Sequence, residues 1–311
     1  MSLPPMDAQL SAFLTLAPPM AYAGDPVEFR AEMRRRLSVR PMTTPLPRVE
    51  DRTIPGPDGA PDLPARVYWP SDEVGLPVLV YFHGGGFCIG DIESHDGVTR
   101  KLAEQVGCVV VSVEYRLAPE HQFPAAYEDC YAAYLWVREN AAELGGDPSR
   151  VAVGGDSAGA SLSAGLCLMA RDRGTAQPTF QLLWYPATGL VGTDSQKANQ
   201  ADPLLPPDAI AWFEDMYFSR TPRERFVPYG AVALAENHTG LAPAHVVVAG
   251  HDPLHDEGVA YAAQLTAAGV PTTLDDAPTM CHGFVSFADF VPGCAEAVEG
   301  SYAALRAAFA R

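Results

Sequence analysis

Short apolar runs, many of them β-branched, alternate along this chain with longer stretches whose apolar residues recur at helical spacing. The short runs predict strands at 65–68, 77–82, 108–113, 151–154, 180–185, 245–249 and 272–274. The longer stretches predict helices over 95–106, 125–140, 158 to about 173, 257–268 and 294–309. Residues 1–45 read as helical and loop material rich in Pro, Ala and Arg. Within them 25–37 has a helical pattern, with Asp25 as N-cap and Pro26 at the first helical position. Strand–helix alternation with near-continuous apolar strands predicts an α/β fold, a mostly parallel sheet covered on both faces. The stretch from about 188 to 240 breaks the alternation. Its prolines at 203, 206, 207, 222 and 228, with the helix-like run DAIAWFEDMYF, read mostly as an inserted cap. No internal repeat or low-complexity linker splits the chain.

Composition narrows the partners. The 311 residues suit one large α/β domain or two smaller ones. A net charge of −17 disfavours nucleic acid and polyanionic substrates but not an uncharged small molecule. No apolar run approaches the roughly 18–20 residues of a membrane span, so no membrane partner is expected. The opening residues lack a basic stretch and are broken by prolines, so no secretory signal is expected. The six cysteines show no CxxC spacing and read as buried free thiols of a reducing compartment, hence a cytoplasmic location.

The chemistry concentrates in four places. Gly155-Asp156-Ser157-Ala158-Gly159 follows an apolar strand and opens an Ala-rich helix. G-x-S-x-G in that setting predicts a strained strand–turn–helix that lifts the Ser157 hydroxyl, with the helix N-terminus beneath it. The residues fit no nucleotide-binding glycine pattern. His83-Gly84-Gly85-Gly86-Phe87 follows the strand VLVYF. Its glycines expose backbone N–H groups, and those of Gly84 and Gly85, with that of Ala158, are assigned to an oxyanion hole. His83 reads as structural, holding the loop by its imidazole.

A serine nucleophile of this kind is expected to be followed in sequence by an acid and then a histidine. Asp252 follows the run HVVVAGH and precedes Pro253, which suits the acid that fixes the histidine tautomer. Asp256 and Glu257 are rivals, but they fall at the start of the next helix, where acidic residues serve its N-terminus. Asp275 and Asp276 are expected to end the following strand, too close in sequence to the base loop. His255 lies three residues beyond Asp252 and cannot easily approach from a separate loop. His282, in MCHGF, is therefore the general base. The run HDPLHDE lacks H-E-x-x-H spacing, so no metal is expected.

HGGGF at 83–87, YRLAPEHQFPAA at 115–126, GDSAG at 155–159, DPLHDEG at 252–258 and HGF at 282–284 occur in an order that resembles the hormone-sensitive-lipase-like esterases, in the branch with Asp before the serine. The resemblance runs from about Val78 to Phe284. It implies an α/β-hydrolase fold with an eight-stranded, mostly parallel sheet and a mobile helical cap. That cap is built from residues 1–45 and an insertion near 188–225, on a catalytic domain of 46–311. It also implies hydrolysis of short- to medium-chain esters without a cofactor, and frequent homodimers. The 115–126 stretch becomes a loop bracing the site with Asp156 as its anchor, and His255 replaces a usual basic residue without changing the mechanism. Because some relatives on this fold are receptors that lack the histidine, and others cleave amides, ester turnover against a matched amide separates the readings. No long apolar lid of a long-chain lipase is evident.

Overall fold

A computed structural model describes residues 3–16, 22, 24–37, 44–219, 221 and 223–311, with the side chains of 223 and 224 left aside. Parts of the expected N-terminal cap segment (1–2, 17–21, 23 and 38–43) and positions 220 and 222 of the insertion lie outside the described residues.

Eight strands form one sheet: β1 (Arg48–Ile54), β2 (Leu63–Trp69), β3 (Leu76–Phe82), β4 (Val109–Val113), β5 (Gly146–Asp156), β6 (Gln181–Trp184), β7 (Ala244–His251) and β8 (Thr272–Cys281). Their spatial order is β1-β2-β4-β3-β5-β6-β7-β8. The β1–β2 and β2–β4 pairs are antiparallel, and every pair from β4 to β8 is parallel. The helices are α1 (Ala8–Leu14), α2 (Pro26–Leu37), α3 (Asp96–Val106), α4 (Ala125–Asn140), α5 (Ala158–Asp172), α6 (Asp194–Ala198), α7 (Pro207–Phe218), α8 (His255–Ala267) and α9 (Pro292–Phe309).

Alternation along β3 shows how the sheet makes two cores. Val78, Val80 and Phe82 point to the face covered by residues of α4, α5 and α8, while Leu79 and Tyr81 point to the face covered by α1, α3 and α9. Successive side chains of a strand leave on opposite faces, so a strand buried on both sides must be apolar throughout. β3 is buried at every position from Pro77 on, and β4 along its whole length.

Three strands depart from expectation. β1 (RVEDRTI) was not predicted, because its polar residues face solvent at the sheet edge. Its backbone pairing with β2 and the Arg66–Asp51 ion pair hold it in place. β5 starts earlier than predicted, in the polar stretch GDPSR, and extends to the nucleophile turn. β8 runs to Cys281, so Asp275 and Asp276 lie within that strand rather than at its end; their side chains are half-buried or exposed at the opposite edge.

Between β6 and β7 the chain builds α6 and α7. Pro206 and Pro207 start α7 where no backbone N–H is required. Its Trp212 and Phe213 meet Tyr22 and Phe29 of the N-terminal segment at ring separations of 5.5–6.3 Å. In α2, the Asp25 carboxylate accepts the Val27 N–H at 2.9 Å, the N-cap that the sequence indicated.

Candidate active site

The site stands over the C-terminal ends of β3, β5, β7 and β8, because parallel strands deliver all their following loops to one edge of the sheet. At the end of β5 the chain turns through Ser157, with φ 54° and ψ −118°, directly into α5. For a side-chain-bearing residue such a conformation costs about 1–3 kcal/mol and persists only where the surroundings enforce it. Here the enforcement is contact. A Cβ on Gly155 or on Gly159 would overlap the Phe82 carbonyl at the end of β3. Both flanking positions are glycine because helix and strand approach too closely for anything larger.

His282 follows β8, and Gly283, with φ 74°, turns the chain away after it. Its Nε2 lies 2.9 Å from Ser157 Oγ. Its Nδ1 donates to Asp252 Oδ2 at 2.8 Å. Asp252, fully buried after β7, uses Oδ1 to accept the Leu254 N–H at 2.8 Å, which fixes the plane of the carboxylate. Burial opposes the imidazolium form of His282. The charge and hydrogen bond of Asp252, with the charges of Asp202 and Asp156, outweigh it and hold the pKa above the usual histidine value. The three residues drawn from distant parts of the sequence thus form one continuous hydrogen-bonded chain.

The rivals are engaged elsewhere. Asp256 accepts the Ser195 N–H, and Glu257 accepts the N–H groups of Thr188 and Gly189. These two carboxylates tie the segment after β6 to α8 rather than merely serving a helix terminus. His255 sits between Asp256 and Asp276, at 3.1 and 3.4 Å. Cys281 is buried, and desolvation raises its thiol pKa far above the ordinary value, so it stays a neutral packing group. Among the described residues no group of His, Cys, Asp and Glu is arranged to hold a metal ion.

The glycine loop corrects one assignment. The Gly84 N–H donates to Asp156 Oδ1 at 2.9 Å, so it is committed to the wall of the site and not available to an oxyanion. Gly85 and Gly86 follow with φ of 119° and 58°, a path that glycine accepts at low cost. The ring of Phe213 occupies the space a Cβ of Gly86 would need. His83 turns its Nδ1 toward the Gly84 carbonyl at 2.8 Å and stacks on Tyr115 at 4.3 Å. Burial, with the nearby His95, lowers its pKa to about 4, so it is a neutral brace.

Asp156 needs a second correction. It is buried, and it accepts Tyr81 Oη at 2.6 Å and faces His95 Nε2 at 3.4 Å, besides holding Gly84. It therefore anchors the glycine loop, not the 115–126 loop. That loop is held by Arg116, which makes a bidentate pair with buried Asp129, and by Tyr115 Oη, which donates to the His83 carbonyl at 2.7 Å.

Above Ser157 and His282 opens a cavity of about 1130 Å³. Its lining is mostly apolar and includes Ile89, Leu204, Ile210, Phe213 and Leu254.

Comparison with known proteins agrees with this architecture. The family described as alpha/beta hydrolase fold matches residues 79–286. Carboxylesterase NlhH of Mycobacterium tuberculosis is 45% identical over 98% of this chain and 97% of its own length. The chain belongs to the hormone-sensitive-lipase-like esterases of the α/β-hydrolase superfamily. It is a serine-dependent carboxylic ester hydrolase. An ethyl acetate hydrolase of Pseudomonas putida is 38% identical, covering 76% of this esterase and 75% of that protein. Among solved structures, a hyperthermophilic esterase from the archaeon Pyrobaculum calidifontis superposes with a TM-score of 0.90. It is 40% identical and covers 97% of this chain and 98% of that one.

Asp202, Asn199 and Ser195 were not anticipated. Asp202 accepts the backbone N–H of His282 at 3.0 Å across 80 residues of sequence. Asn199 donates to the Asp252 carbonyl at 3.1 Å, and Ser195 Oγ to the Pro253 carbonyl at 2.8 Å. They sit in a proline-punctuated stretch with no motif or periodicity to single them out.

Proposed function

We propose that Ser157 is the nucleophile, His282 the general base and then acid, and Asp252 the carboxylate that orients it. The observation that carries this reading is the chain Ser157–His282–Asp252, closed at 2.9 and 2.8 Å. Ser157 Oγ attacks the ester carbonyl as His282 Nε2 takes its proton. The tetrahedral intermediate collapses, the C–O bond to the alcohol breaks, and His282 returns the proton to the leaving oxygen. Water then enters, gives a proton to His282 and attacks the acyl-serine. The acid is released and Ser157 regains its proton.

The oxyanion hole in this reading is formed by the N–H groups of Gly85, Gly86 and Ala158. Ala158 opens α5, where the first N–H groups have no intrahelical acceptor and the helix dipole favours negative charge. Gly84 supports the loop through Asp156.

The substrate is a neutral ester with a short- to medium-length acyl chain. An apolar cavity suits an uncharged substrate, and the carboxylates of Asp156, Asp202 and Asp252 around the base repel an anionic one. The family supports the acyl range. The segments 1–45 and 188–225 act as the cap that covers this cavity, a role supported by the packing of Tyr22 and Phe29 on α7. The steps as written draw on no cofactor.

The first test is hydrolysis of p-nitrophenyl esters from acetate to palmitate. Turnover should peak at short chains and decline toward palmitate; a maximum at palmitate, rising further at a lipid–water interface, contradicts the acyl range. Matched amides should be turned over far more slowly than the esters.

The pH profile follows from the site. His282 must be neutral to accept the serine proton, and its pKa is raised. Activity should therefore fall as pH drops through that raised pKa, with the midpoint of the acid limb of kcat/KM above about 6.5, the ordinary imidazole value. A rate that stays flat through the acid range rules out His282 as base.

A further inference from the structure

Asp202 is a buried carboxylate that belongs to neither the sheet nor the Ser–His–Asp chain. One oxygen accepts the His282 backbone N–H at 3.0 Å, and the other accepts the N–H groups of Leu204 and Leu205 at 2.7 and 2.6 Å. Among the described residues no Arg or Lys pairs with it. Burying a carboxylate without a cation is costly. Its two oxygens satisfy three N–H groups, and the carboxylate adds a negative charge to that role.

That charge faces His282. The groups around the imidazole are Asp252 from the end of β7, Asp202 from the segment after α6, Asp156 and Ser157 from the β5–α5 turn, Tyr185 after β6 and Cys281 at the end of β8. Tyr185 and Cys281 are held neutral by burial. The negative charge near the base therefore comes from three aspartates, and Asp202 is the one carried by the segment between β6 and β7.

The same short segment also grips the acid loop. Ser195 Oγ donates to the Pro253 carbonyl, and Asn199 Nδ2 donates to the carbonyls of Gly250 and Asp252 at 3.2 and 3.1 Å. From the N-terminal side, Tyr22 Oη donates to the Leu204 carbonyl at 2.7 Å. We propose that Asp202 is a positioning residue through which the segment over the cavity sets both the placement and the proton affinity of His282. The inference rests on the Ser157–His282–Asp252 reading and extends it: the segment that lines the cavity also holds the base. Burial, reinforced by the charge of Asp252, pushes the Asp202 pKa up to about 6 against the opposing attraction of His282.

The test is Asp202→Asn. Asparagine has one acceptor oxygen, so it cannot hold both the His282 and the Leu204–Leu205 N–H groups, and it carries no charge. Misplacement of the base is expected to lower kcat about 10- to 100-fold. KM for p-nitrophenyl acetate should change less than kcat, since Asp202 itself does not line the cavity. Loss of the negative charge should move the acid-limb midpoint of kcat/KM down by about one pH unit. A purely structural role would lower thermal stability but leave that midpoint in place. An unchanged midpoint or an unchanged kcat in folded protein overturns the proposal. Should Asp202→Asn not fold, Asn199→Ala tests the segment. It removes uncharged ties to the acid loop, so kcat should fall with the midpoint unmoved, and a wild-type kcat overturns the proposal. Ser157→Ala run alongside separates the two readings. Activity surviving in it sinks the underlying assignment, whereas an inactive Ser157→Ala with an unaffected Asp202→Asn sinks only the role of Asp202.

Discussion

Ser157→Ala is expected to lose ester hydrolysis by about 10⁴-fold or more in kcat while folding as the wild type does. The hydroxyl is the only group removed. The strained backbone at 157 is imposed by the close approach of α5 to Phe82, which alanine leaves unchanged. His282→Ala should cost a similar factor, because the two residues act as a unit and removing either stops proton transfer. Melting temperatures measured beside the rates separate lost chemistry from lost fold. Activity retained by His282→Ala would require another base. His83 offers none, since it is turned toward the Gly84 carbonyl and burial leaves it with little affinity for a proton.

For Asp252→Asn the expected loss is about 10⁴-fold in kcat, by way of the tautomer of His282. Asp252 Oδ1 accepts the Leu254 N–H and Oδ2 accepts His282 Nδ1–H. An asparagine that keeps its oxygen on Leu254 presents its NH₂ to Nδ1. That contact favours the imidazole with its proton on Nε2, pointing at Ser157, where no proton can be accepted. At high pH, added hydroxide can bypass the missing base, so the loss should be largest near neutrality. A variant with kcat within tenfold of wild type would exclude Asp252 as the orienting acid and return attention to Asp256 and Glu257.

Much of this site was legible in the chain. G-x-S-x-G after an apolar strand, three glycines after another, and an acid and a histidine each following later strands located Ser157, Asp252 and His282. These features are local. A strand–turn–helix that must pass a neighbouring strand at close range demands glycine at 155 and 159, and the demand shows in the residues themselves. Strands buried on both faces likewise announce themselves as unbroken apolar runs.

Other features could not be read that way. β1 has no apolar pattern because it is an edge strand, and only its pairing with β2 makes it one. The tail of β8, through Asp275 and Asp276, is a strand because β7 supplies its hydrogen-bonding partners. The choice among glycine N–H groups also waited for the tertiary structure. Three adjacent glycines are equivalent in sequence, and the Asp156 carboxylate from another strand removes Gly84 from the set. Asp202 lies 80 residues from the histidine it holds, in a stretch without periodicity. Local chemistry, where a residue's own turn or strand dictates its type, was written in the sequence. Which distant groups share a hydrogen bond, and so which carboxylate meets the His282 ring, which its backbone and which the glycine loop, was decided only when the sheet brought those loops to one edge.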